Sequence, residues 1–585
     1  MKEIELLLNE SDNWIKGIPA APGIFTGKFH LFVKEEVHIE EQEITDVEEA
    51  LRSFNDAIER SKYELSKIFA LAKEKMGEKR AEIFEAQIMI LEDPIVLDEI
   101  RTRIRKERRD PAVIVAEEFD KFIVMLKRSD DIYFKERAFD IEDIKNRILR
   151  NISRKRWVSR IENDVAVAGV NLTAADTILF SRCNVRGYIT EEGGLTSHAA
   201  IIARSLNIPA VLGAHSLIER LNEDCCEIII DGYNGFIIFD PDSRQKQFYD
   251  NKAHILEKVN SELAGLKDIS SSTIDGVKIS LLANIDVTDE LLIAEANGAE
   301  GIGLYRTEQI IEETGEFPDE NFQTRLYFDI TEKSYPKNVT IRVFDLGGDK
   351  TRLFHKTEYN PFLGLRGIRF LLSNKELFKG QIRSLLKASF NNNLNILLPM
   401  ISAFEEIEET KQLIKECEEE LGLTHRKYKL GIMIEVPSAA DLIPCLGDEV
   451  DFLSVGTNDL IQYSLAVDRA NDEVAYLYQE FNPSFLRVLK RIADNAAEAS
   501  LPLSLCGEMG ADPRAIPLLL GLGYRFLSAS PSGIPLMKKI ILSVKISDCE
   551  ILAQDALACK STAAVETLVD KFFIDHGITI PKDFV

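Results

Sequence analysis

The chain has 585 residues, of which 45% are hydrophobic and 29% are charged, and its formal net charge is −26. A chain of this length is too long to fold around a single hydrophobic core, so two to four domains are expected. The negative charge argues against non-specific nucleic-acid binding, which requires a basic surface. The sequence also has no run of about 20 apolar residues, the length that spans a bilayer.

The N-terminal segment and the cysteines predict the compartment. Residues 1–10 have too short an apolar stretch and too many acidic residues for a signal peptide. The eight cysteines are scattered, and no C-x-x-C pair suggests a zinc site. We therefore expect a cytoplasmic protein with reduced thiols and without membrane insertion.

The first 152 residues predict a short β segment followed by helices. A turn-rich stretch at 17–24 precedes a strand predicted over 25–33. Thr45 and Glu48 have the spacing of a capping box, and apolar residues three or four apart predict a long helix after them. Further helical patterns cover 81–91, 94–105, 111–127 and 141–150. These patterns predict an all-helical unit whose apolar residues pack between helices.

From Asp164 onward, β and α patterns alternate and predict an α/β domain into which the helical unit is inserted. A helix over about 243–266 and the polar segment 268–273 predict a linker. The strand candidates are 165–168, 185–190, 210–212, 226–230 and 235–239. The predicted division of the chain is an α/β domain of residues 1–35 with 153–245, a helical domain 36–152, a linker 246–275 and a C-terminal domain 276–585.

One helix of the α/β domain begins with a chemically suggestive segment. Gly193 and Gly194 lead into Thr196 and Ser197, which suit a helix cap, and His198 follows in the first turn. A helix N-terminus favours an anion, and a neutral imidazole can attack phosphorus and hold the phosphoryl group covalently. The alternative is a histidine that merely helps to cap the helix.

The last 290 or so residues contain eight strand candidates separated by helical stretches. This repeat predicts a (β/α)8 TIM barrel, in which the active site lies at the carboxyl ends of the strands. The fold class is therefore α/β multidomain, with an inserted helical bundle and a C-terminal barrel. The eight candidates are 277–285, 301–305, 339–345, 394–400, 430–436, 451–455, 503–506 and 525–528.

Charged and reactive residues follow several barrel strands. Arg306 directly follows the second candidate, and Arg342 lies in the third. Glu435 and Cys506 lie at the ends of the fifth and seventh, and Asp459 follows the sixth. A buried arginine is costly unless an anion pairs with it, and carboxylates are hard ligands that suit Mg²⁺. The set therefore suits a small, multiply charged anion with a divalent metal. The arginines and carboxylates could instead pair across neighbouring strands, and the thiol could be a small buried hydrophobe.

Several motifs in one order give the chain a family resemblance over nearly its full length. They make it similar to the phosphoenolpyruvate–protein phosphotransferase family, enzyme I of the bacterial sugar phosphotransferase system. The segments that carry the resemblance are 17–19, the Gly-Gly-x-Thr-Ser-His motif at 193–198, 301–308, 360–364, 435–438, 456–463, 467–469 and 505–508.

The resemblance implies a reaction and a role for each site residue. Nε2 of His198 would take the phosphoryl group of phosphoenolpyruvate, releasing pyruvate, and pass it to a histidine of a phosphocarrier protein. Thr177 would hydrogen-bond the other ring nitrogen, Cys506 would protonate the enolate carbon, and Mg²⁺ would be held by Glu435 and Asp459. The implied substrate-binding residues are Arg306, Arg342, Arg366, Asn458, Asp459 and Arg469.

The resemblance also implies the domain roles. The helical unit would dock the phosphocarrier, the α/β domain would swivel between carrier and barrel, and the barrel would form a homodimer. Four positions depart from the family pattern: Leu195 where arginine is usual, Gln87 where histidine is common, and Phe139 and Asp140 in place of small residues before the last helix. We expect the carrier interface to differ in detail.

Two other interpretations compete with this one. A pyruvate phosphate dikinase or phosphoenolpyruvate synthase shares the phosphohistidine domain and barrel, but it needs a nucleotide-binding domain of hundreds of residues. In this sequence only a helical unit of about 115 residues is available before the histidine segment, and it contains no glycine-rich phosphate loop. A catalytically silent regulatory or scaffolding relative should lack some of the residues above, all of which are present.

Overall fold

The computed structural model describes residues 8, 12–33, 44–76, 78–128, 132–153, 161–194, 197–206, 208–221, 227–314, 317–347, 360–469, 471 and 473–579. The chain divides into two compact units, an N-terminal unit of residues 1–257 and a C-terminal unit of residues 258–585. Among the described residues, no helix is both long and apolar enough to cross a membrane.

Five helices form a bundle in the N-terminal unit. The first packs against the second and fifth, and the fourth packs against the fifth. The third and fourth each begin with an aspartate cap followed by proline, which suits the first helical position. The helices are α1 (Val47–Met76), α2 (Glu78–Glu92), α3 (Pro94–Glu107), α4 (Pro111–Lys127) and α5 (Ile132–Ile152).

The ends of two bundle helices differ from the prediction. The cap of α1 is Asp46 rather than Thr45, because its Oδ1 accepts the N–H groups of Glu48 at 2.9 Å and Glu49 at 3.1 Å. Helix α5 starts at Ile132, nine residues before the predicted start, because good helix formers continue the helix upstream of its apolar periodicity.

Two of the positions that depart from the family pattern meet inside the bundle. Gln87 is 2% exposed, and its Nε2 donates to Oδ1 of Asp140 at 3.3 Å. Phe139 and Asp140 lie within α5 and not before it. The Gln87–Asp140 contact therefore bears on helix packing within the bundle.

The α/β part of the N-terminal unit contains two sheets. One has five strands in the order β2-β7-β6-β5-β4, and the other is antiparallel in the order β1-β9-β8-β3. The strands are β1 (Trp14–Lys16), β2 (Ile18–Ala21), β3 (Ile24–Gly27), β4 (Phe29–Leu31), β5 (Ala166–Gly169), β6 (Gly187–Thr190), β7 (Ala210–Leu212), β8 (Ile228–Asp231) and β9 (Phe236–Phe239). The helices are α6 (Ala174–Phe180), α7 (His198–Ser205), α8 (Leu217–Arg220) and α9 (Ser243–Ala264).

The single strand predicted over 25–33 is wrong. Its residues form β3 and β4, which belong to different sheets, and the chain changes sheet at Lys28. Strands β4 and β5 are parallel neighbours, and the helical bundle is the connection between them. The bundle shares one apolar cluster with Ile178 of α6 and Ile202 of α7, and its first helix contacts α6, which in turn contacts α7.

The C-terminal unit is a closed barrel of eight parallel strands, so the predicted fold class is confirmed. Its strands are β10 (Ser280–Ile285), β11 (Ile302–Arg306), β12 (Val339–Arg342), β13 (Leu394–Leu398), β14 (Tyr428–Ile434), β15 (Phe452–Val455), β16 (Leu503–Leu505) and β17 (Phe526–Ala529). Its helices are α10 (Glu290–Ala296), α11 (Gln309–Thr314), α12 (Glu320–Ser334), α13 (Ile368–Ser373), α14 (Lys375–Ala388), α15 (Phe404–Glu420), α16 (Pro437–Leu442), α17 (Thr457–Leu465), α18 (Pro483–Glu498), α19 (Ile516–Leu522), α20 (Ile534–Ile541), α21 (Ile546–Ala558) and α22 (Thr562–Asp575).

Candidate active site

His198 is the first residue of α7, and Ser197 is its N-cap. The hydroxyl of Ser197 accepts the N–H of Ala200 at 3.3 Å and donates to the carbonyl of Gly194 at 2.8 Å. The helix therefore begins where the sequence predicts. The side chain of His198 and the two residues Leu195 and Thr196 lie outside the described part of the chain.

Thr177 lies in α6, which packs against α7. It is buried, its hydroxyl donates to the carbonyl of Thr173 at 2.9 Å, and its own carbonyl accepts the hydroxyl of Tyr188 at 3.0 Å. Because the hydroxyl proton of Thr177 is already used, its oxygen retains lone pairs that can accept an N–H. The described contacts thus suit an acceptor role for Thr177.

A cavity of about 250 Å³ lies at the carboxyl ends of the barrel strands. Strands β10, β11, β12, β14, β15 and β16 each contribute to its wall through residues near or just after their carboxyl ends. Seven residues predicted from the sequence line it: Arg306, Arg342, Glu435, Asn458, Asp459, Arg469 and Cys506.

Two arginines occupy equivalent positions on adjacent strands but differ in burial. Arg306 and Arg342 end β11 and β12 and are paired in register. The side chain of Arg306 is 35% exposed and contacts Asp286 at 3.1 Å. The side chain of Arg342 is 6% exposed and forms ion pairs with Glu308 and, at 3.2 Å, with Asp345. Each of the two arginines therefore pairs with a carboxylate and also lines the cavity.

Arg366 does not line the cavity, yet it is linked to it through Asp459. Its guanidinium donates to both oxygens of Asp345 at 3.0 Å and to the oxygens of Asp459 at 3.1 and 2.8 Å. Asp345 is fully buried and bridges Arg342 and Arg366. Burial opposes the charge of these two arginines, but the adjacent carboxylates raise the pKa of both above the ordinary range.

Glu435 and Asp459 are the two carboxylates that suit a metal. Burial raises the pKa of Glu435, and the charges of Asp459 and Asp345 raise it further. A Cβ atom at Gly456 would lie 3.0 Å from Oε2 of Glu435, so a glycine keeps this side of the carboxylate open. The backbone N–H of Met400 donates to Oε1 at 2.5 Å.

A cation beside this pair would relieve the repulsion between the buried carboxylates. Within the described ranges, no group of three or more His, Cys, Asp and Glu residues could hold a metal. Two protein carboxylates nevertheless fit Mg²⁺, which takes one or two of them and fills its other positions with water and substrate oxygens.

Asn458 and Glu508 form a reciprocal pair at the rim of the cavity. Asn458 accepts the backbone N–H of Glu508 at 2.9 Å and donates its amide N–H to Oε1 of Glu508 at 2.9 Å. These two hydrogen bonds hold the side-chain amide of Asn458, which lies in the first turn of α17. Arg469 follows α17, and its N–H donates to Oε1 of Gln462 at 3.3 Å.

Cys506 lies just beyond β16 and is 3% exposed. It packs against Leu304, Leu397, Met433 and Phe452. Burial raises the pKa of the thiol above its ordinary value, so the thiol is protonated at neutral pH. A protonated thiol at a cavity wall is a potential proton donor.

Sequence reasoning missed the carboxylates that neutralise the arginines. Asp286 follows β10, Glu308 follows β11 by two residues, and Asp345 follows Arg342 by three. Their positions at strand ends were a usable signal, because such residues converge in a barrel. Their pairing with particular arginines depends on distances that the sequence does not contain.

A larger cleft, of about 790 Å³, lies near the amino ends of β14 and β15. Its charged residues pair with one another, as Lys411 does with Glu449 and Arg426 with Asp451. None of the predicted site residues lines this cleft. The smaller cavity is therefore the candidate active site.

Comparisons with known proteins agree with the fold and the cavity. Models of PEP-utilising enzymes match the N-terminal domain over residues 16–137, the mobile domain over 161–235 and the PEP-binding domain over 260–546. The barrel and its charged cavity thus define a PEP-utilising enzyme.

Two sequence relatives identify the family within the class of PEP-utilising enzymes. The phosphoenolpyruvate-protein phosphotransferase of Staphylococcus carnosus (strain TM300) is 38% identical over 568 residues, covering 95% of this chain and 99% of its own. That of Listeria monocytogenes is 38% identical over 566 residues, with the same shares. An NMR solution structure of Enzyme I matches 42% of this chain and 99% of its own, at 35% identity and a TM-score of 0.36. On the two sequence matches, the chain belongs to the phosphoenolpyruvate-protein phosphotransferase family of transferases, and the predicted family is confirmed.

Proposed function

We propose that this enzyme transfers the phosphoryl group of phosphoenolpyruvate to its own His198 and then to a histidine of a phosphocarrier protein. This would be the first step of phosphoenolpyruvate-dependent sugar uptake. The observation that carries the proposal is the convergence of three arginines, two metal-suited carboxylates and a buried thiol on one cavity.

The charges of the cavity suit a trianionic substrate only together with a cation. Three arginines and five carboxyl-bearing residues line it. Nε of Arg342 is buried and has no hydrogen-bond partner among the residues described, which leaves a donor for an incoming anion. Arg306, Arg342 and Arg469, with Asn458, would hold the phosphate and carboxylate of the substrate. When bound to Glu435 and Asp459, Mg²⁺ would supply positive charge to the phosphate oxygens.

The proposed chemistry has two steps, a phosphoryl transfer and a proton transfer. Thr177 would accept the N–H of one ring nitrogen of His198, which leaves the lone pair on Nε2 to attack phosphorus. The new N–P bond forms as the bond between phosphorus and the enol oxygen breaks, and fixed cations stabilise the transferred charge. The Cys506 thiol then gives its proton to the methylene carbon, which yields pyruvate and a thiolate.

We also propose the domain roles. The helical domain 36–152 would dock the phosphocarrier, and the α/β domain of 1–35 with 153–245 would carry His198 between carrier and barrel. The apolar cluster that the bundle shares with α6 and α7 supports the docking role, because it places the bundle beside the domain that carries His198. The barrel, residues 276–585, would bind phosphoenolpyruvate and form the homodimer, with 246–275 as linker. A cytoplasmic location is part of the proposal.

The test is incubation with Mg²⁺, labelled phosphoenolpyruvate and a purified phosphocarrier. We expect acid-labile label on the enzyme, pyruvate release and transfer of label to the carrier. His198→Ala should lose the label entirely, whereas His215→Ala, an exposed histidine of the same domain, should keep it. Labelling by ATP would instead support a dikinase-like enzyme, and absence of any label would support a silent relative.

A separate prediction concerns the proton donor. Cys506→Ala should slow pyruvate formation by roughly 10²- to 10⁴-fold and remove the stereochemical preference of protonation at the methylene carbon. In the unchanged enzyme, the raised pKa of the thiol should place the alkaline limb of the pH–rate profile above about 8.5, the value for a free cysteine. Steady-state rates measured across pH report the rate and the alkaline limb. Reaction in deuterated water of phosphoenolpyruvate stereospecifically tritiated at the methylene carbon reports the stereochemistry, with Cys445→Ala, an exposed cysteine, as control.

A further inference from the structure

The sulfur of Cys506 receives a hydrogen bond from a neighbouring strand. The hydroxyl of Ser454, in β15, donates to Sγ at 3.2 Å, and both residues are buried. The thiol itself donates to the carbonyl of Val455 over a longer distance of 3.5 Å. Ser454 does not line the cavity, so its hydroxyl can act on a substrate only through the sulfur.

The backbone of Cys506 is held independently of this contact. The amide of Asn284 donates to the Cys506 carbonyl at 2.9 Å, and the hydroxyl of Ser528 donates to Oδ1 of Asn284 at 2.6 Å. The N–H of Cys506 donates to the carbonyl of Val455 at 3.0 Å. With its backbone fixed, the orientation of the thiol depends on what its sulfur contacts.

We propose that Ser454 is a positioning residue, which orients the Cys506 thiol toward the cavity and stabilises the thiolate that remains once its proton has gone. The inference rests on the proposed function, in which Cys506 protonates the enolate carbon. In that step the S–H bond breaks, a C–H bond forms, and the electron pair of the S–H bond stays on sulfur.

The surroundings of the sulfur explain why such a donor matters. Leu304, Leu397 and Met433 pack around Cys506 and cannot donate a hydrogen bond to a thiolate. An anionic sulfur in such a place is costly without a donor, and a hydroxyl that donates to an anion makes a stronger bond than one that donates to a neutral group. The hydroxyl of Ser454 therefore gains strength as the proton leaves. It also occupies a lone pair of sulfur, which leaves the thiol proton free to turn from the Val455 carbonyl to the substrate.

The test compares Ser454→Ala with Ser504→Ala. Ser504 lies opposite Ser454 on β16, two residues before Cys506, and its hydroxyl donates to the carbonyl of Leu453 at 3.2 Å. The first readout is the pH dependence of alkylation of Cys506 by iodoacetamide, with peptide mass spectrometry to separate the other thiols. Ser454→Ala should form roughly tenfold less thiolate at a given pH, whereas Ser504→Ala should match the unchanged enzyme.

The second readout is turnover of phosphoenolpyruvate. Ser454→Ala should lower kcat by roughly tenfold with KM unchanged, since Ser454 touches no substrate. Ser454→Thr retains a hydroxyl and should restore both readouts. The charged groups that act on the thiol, Arg306, Arg342 and Glu435, are the same in all of these variants.

Three outcomes would overturn the inference: an alkylation profile unchanged in Ser454→Ala, an equal shift in Ser504→Ala, or a change in KM alone. The assignment of Cys506 as proton donor fails by a different result, namely full pyruvate formation by Cys506→Ala, and the proposed phosphoryl transfer fails if the enzyme takes no label from phosphoenolpyruvate. If Cys506→Ala loses activity while Ser454→Ala behaves as the unchanged enzyme, the inference about Ser454 fails alone.

Discussion

Arg342→Met is expected to lose both substrate turnover and stability, whereas Arg306→Met should lose turnover alone. The two arginines are paired in register on adjacent strands and line the same cavity. Each substitution is therefore a control for the other. Loss of either fixed cation should lower kcat/KM for phosphoenolpyruvate by roughly 10²- to 10³-fold.

The difference in stability follows from burial. Arg342→Met leaves Glu308 and Asp345 as buried carboxylates that have lost a partner, and removal of one member of a buried pair costs about 3–5 kcal/mol. The contact of Arg306 with Asp286 is partly exposed, and such pairs contribute about 0–1 kcal/mol.

The free energy of unfolding is measured from the urea-induced unfolding transition of the barrel. Steady-state kinetics measure turnover. Equal destabilisation by both substitutions would contradict the burial argument. Retention of full kcat/KM by Arg342→Met would contradict the assignment of the cavity as the phosphoenolpyruvate site.

Glu435→Gln is expected to abolish Mg²⁺-dependent turnover without loss of stability. The amide occupies the same space and its oxygen can still accept the N–H of Met400, but it carries no charge for a metal. Because Glu435 is buried beside Asp459 and Asp345, the substitution also removes repulsion between carboxylates. Turnover should fall by roughly 10³-fold, while the melting temperature measured without Mg²⁺ should stay the same or rise.

The matched comparison is Glu449→Gln, a carboxylate that pairs with Lys411 in the larger cleft. It should leave turnover unchanged and have little effect on stability. A clear fall in the melting temperature of Glu435→Gln would show that this carboxylate stabilises the barrel, and undiminished turnover would exclude it as a metal ligand.

Regular secondary structure was largely predictable because its signals are local. The eight barrel strands were found from short apolar runs separated by helical stretches, and each is a strand of the closed barrel. Some predictions of element boundaries were wrong. Asp46 rather than Thr45 caps α1, and the chain changes sheet at Lys28, where the pattern of apolar residues continues. Periodicity shows that a segment is a strand, but it does not show with which strand it pairs.

The residues at the carboxyl ends of the strands could be read from the strand pattern alone, and a barrel brings all such ends to one face. The positions of Arg306, Glu435 and Cys506 in the sequence therefore predict that they lie together. Which arginine pairs with which carboxylate there depends on the folded barrel. Asp345 holds both Arg342 and Arg366, and Ser454 reaches the sulfur of Cys506. These contacts join residues up to 52 positions apart over 3.2 Å or less, and because pairing energies depend on distance and burial, their partners are set by packing of the whole barrel.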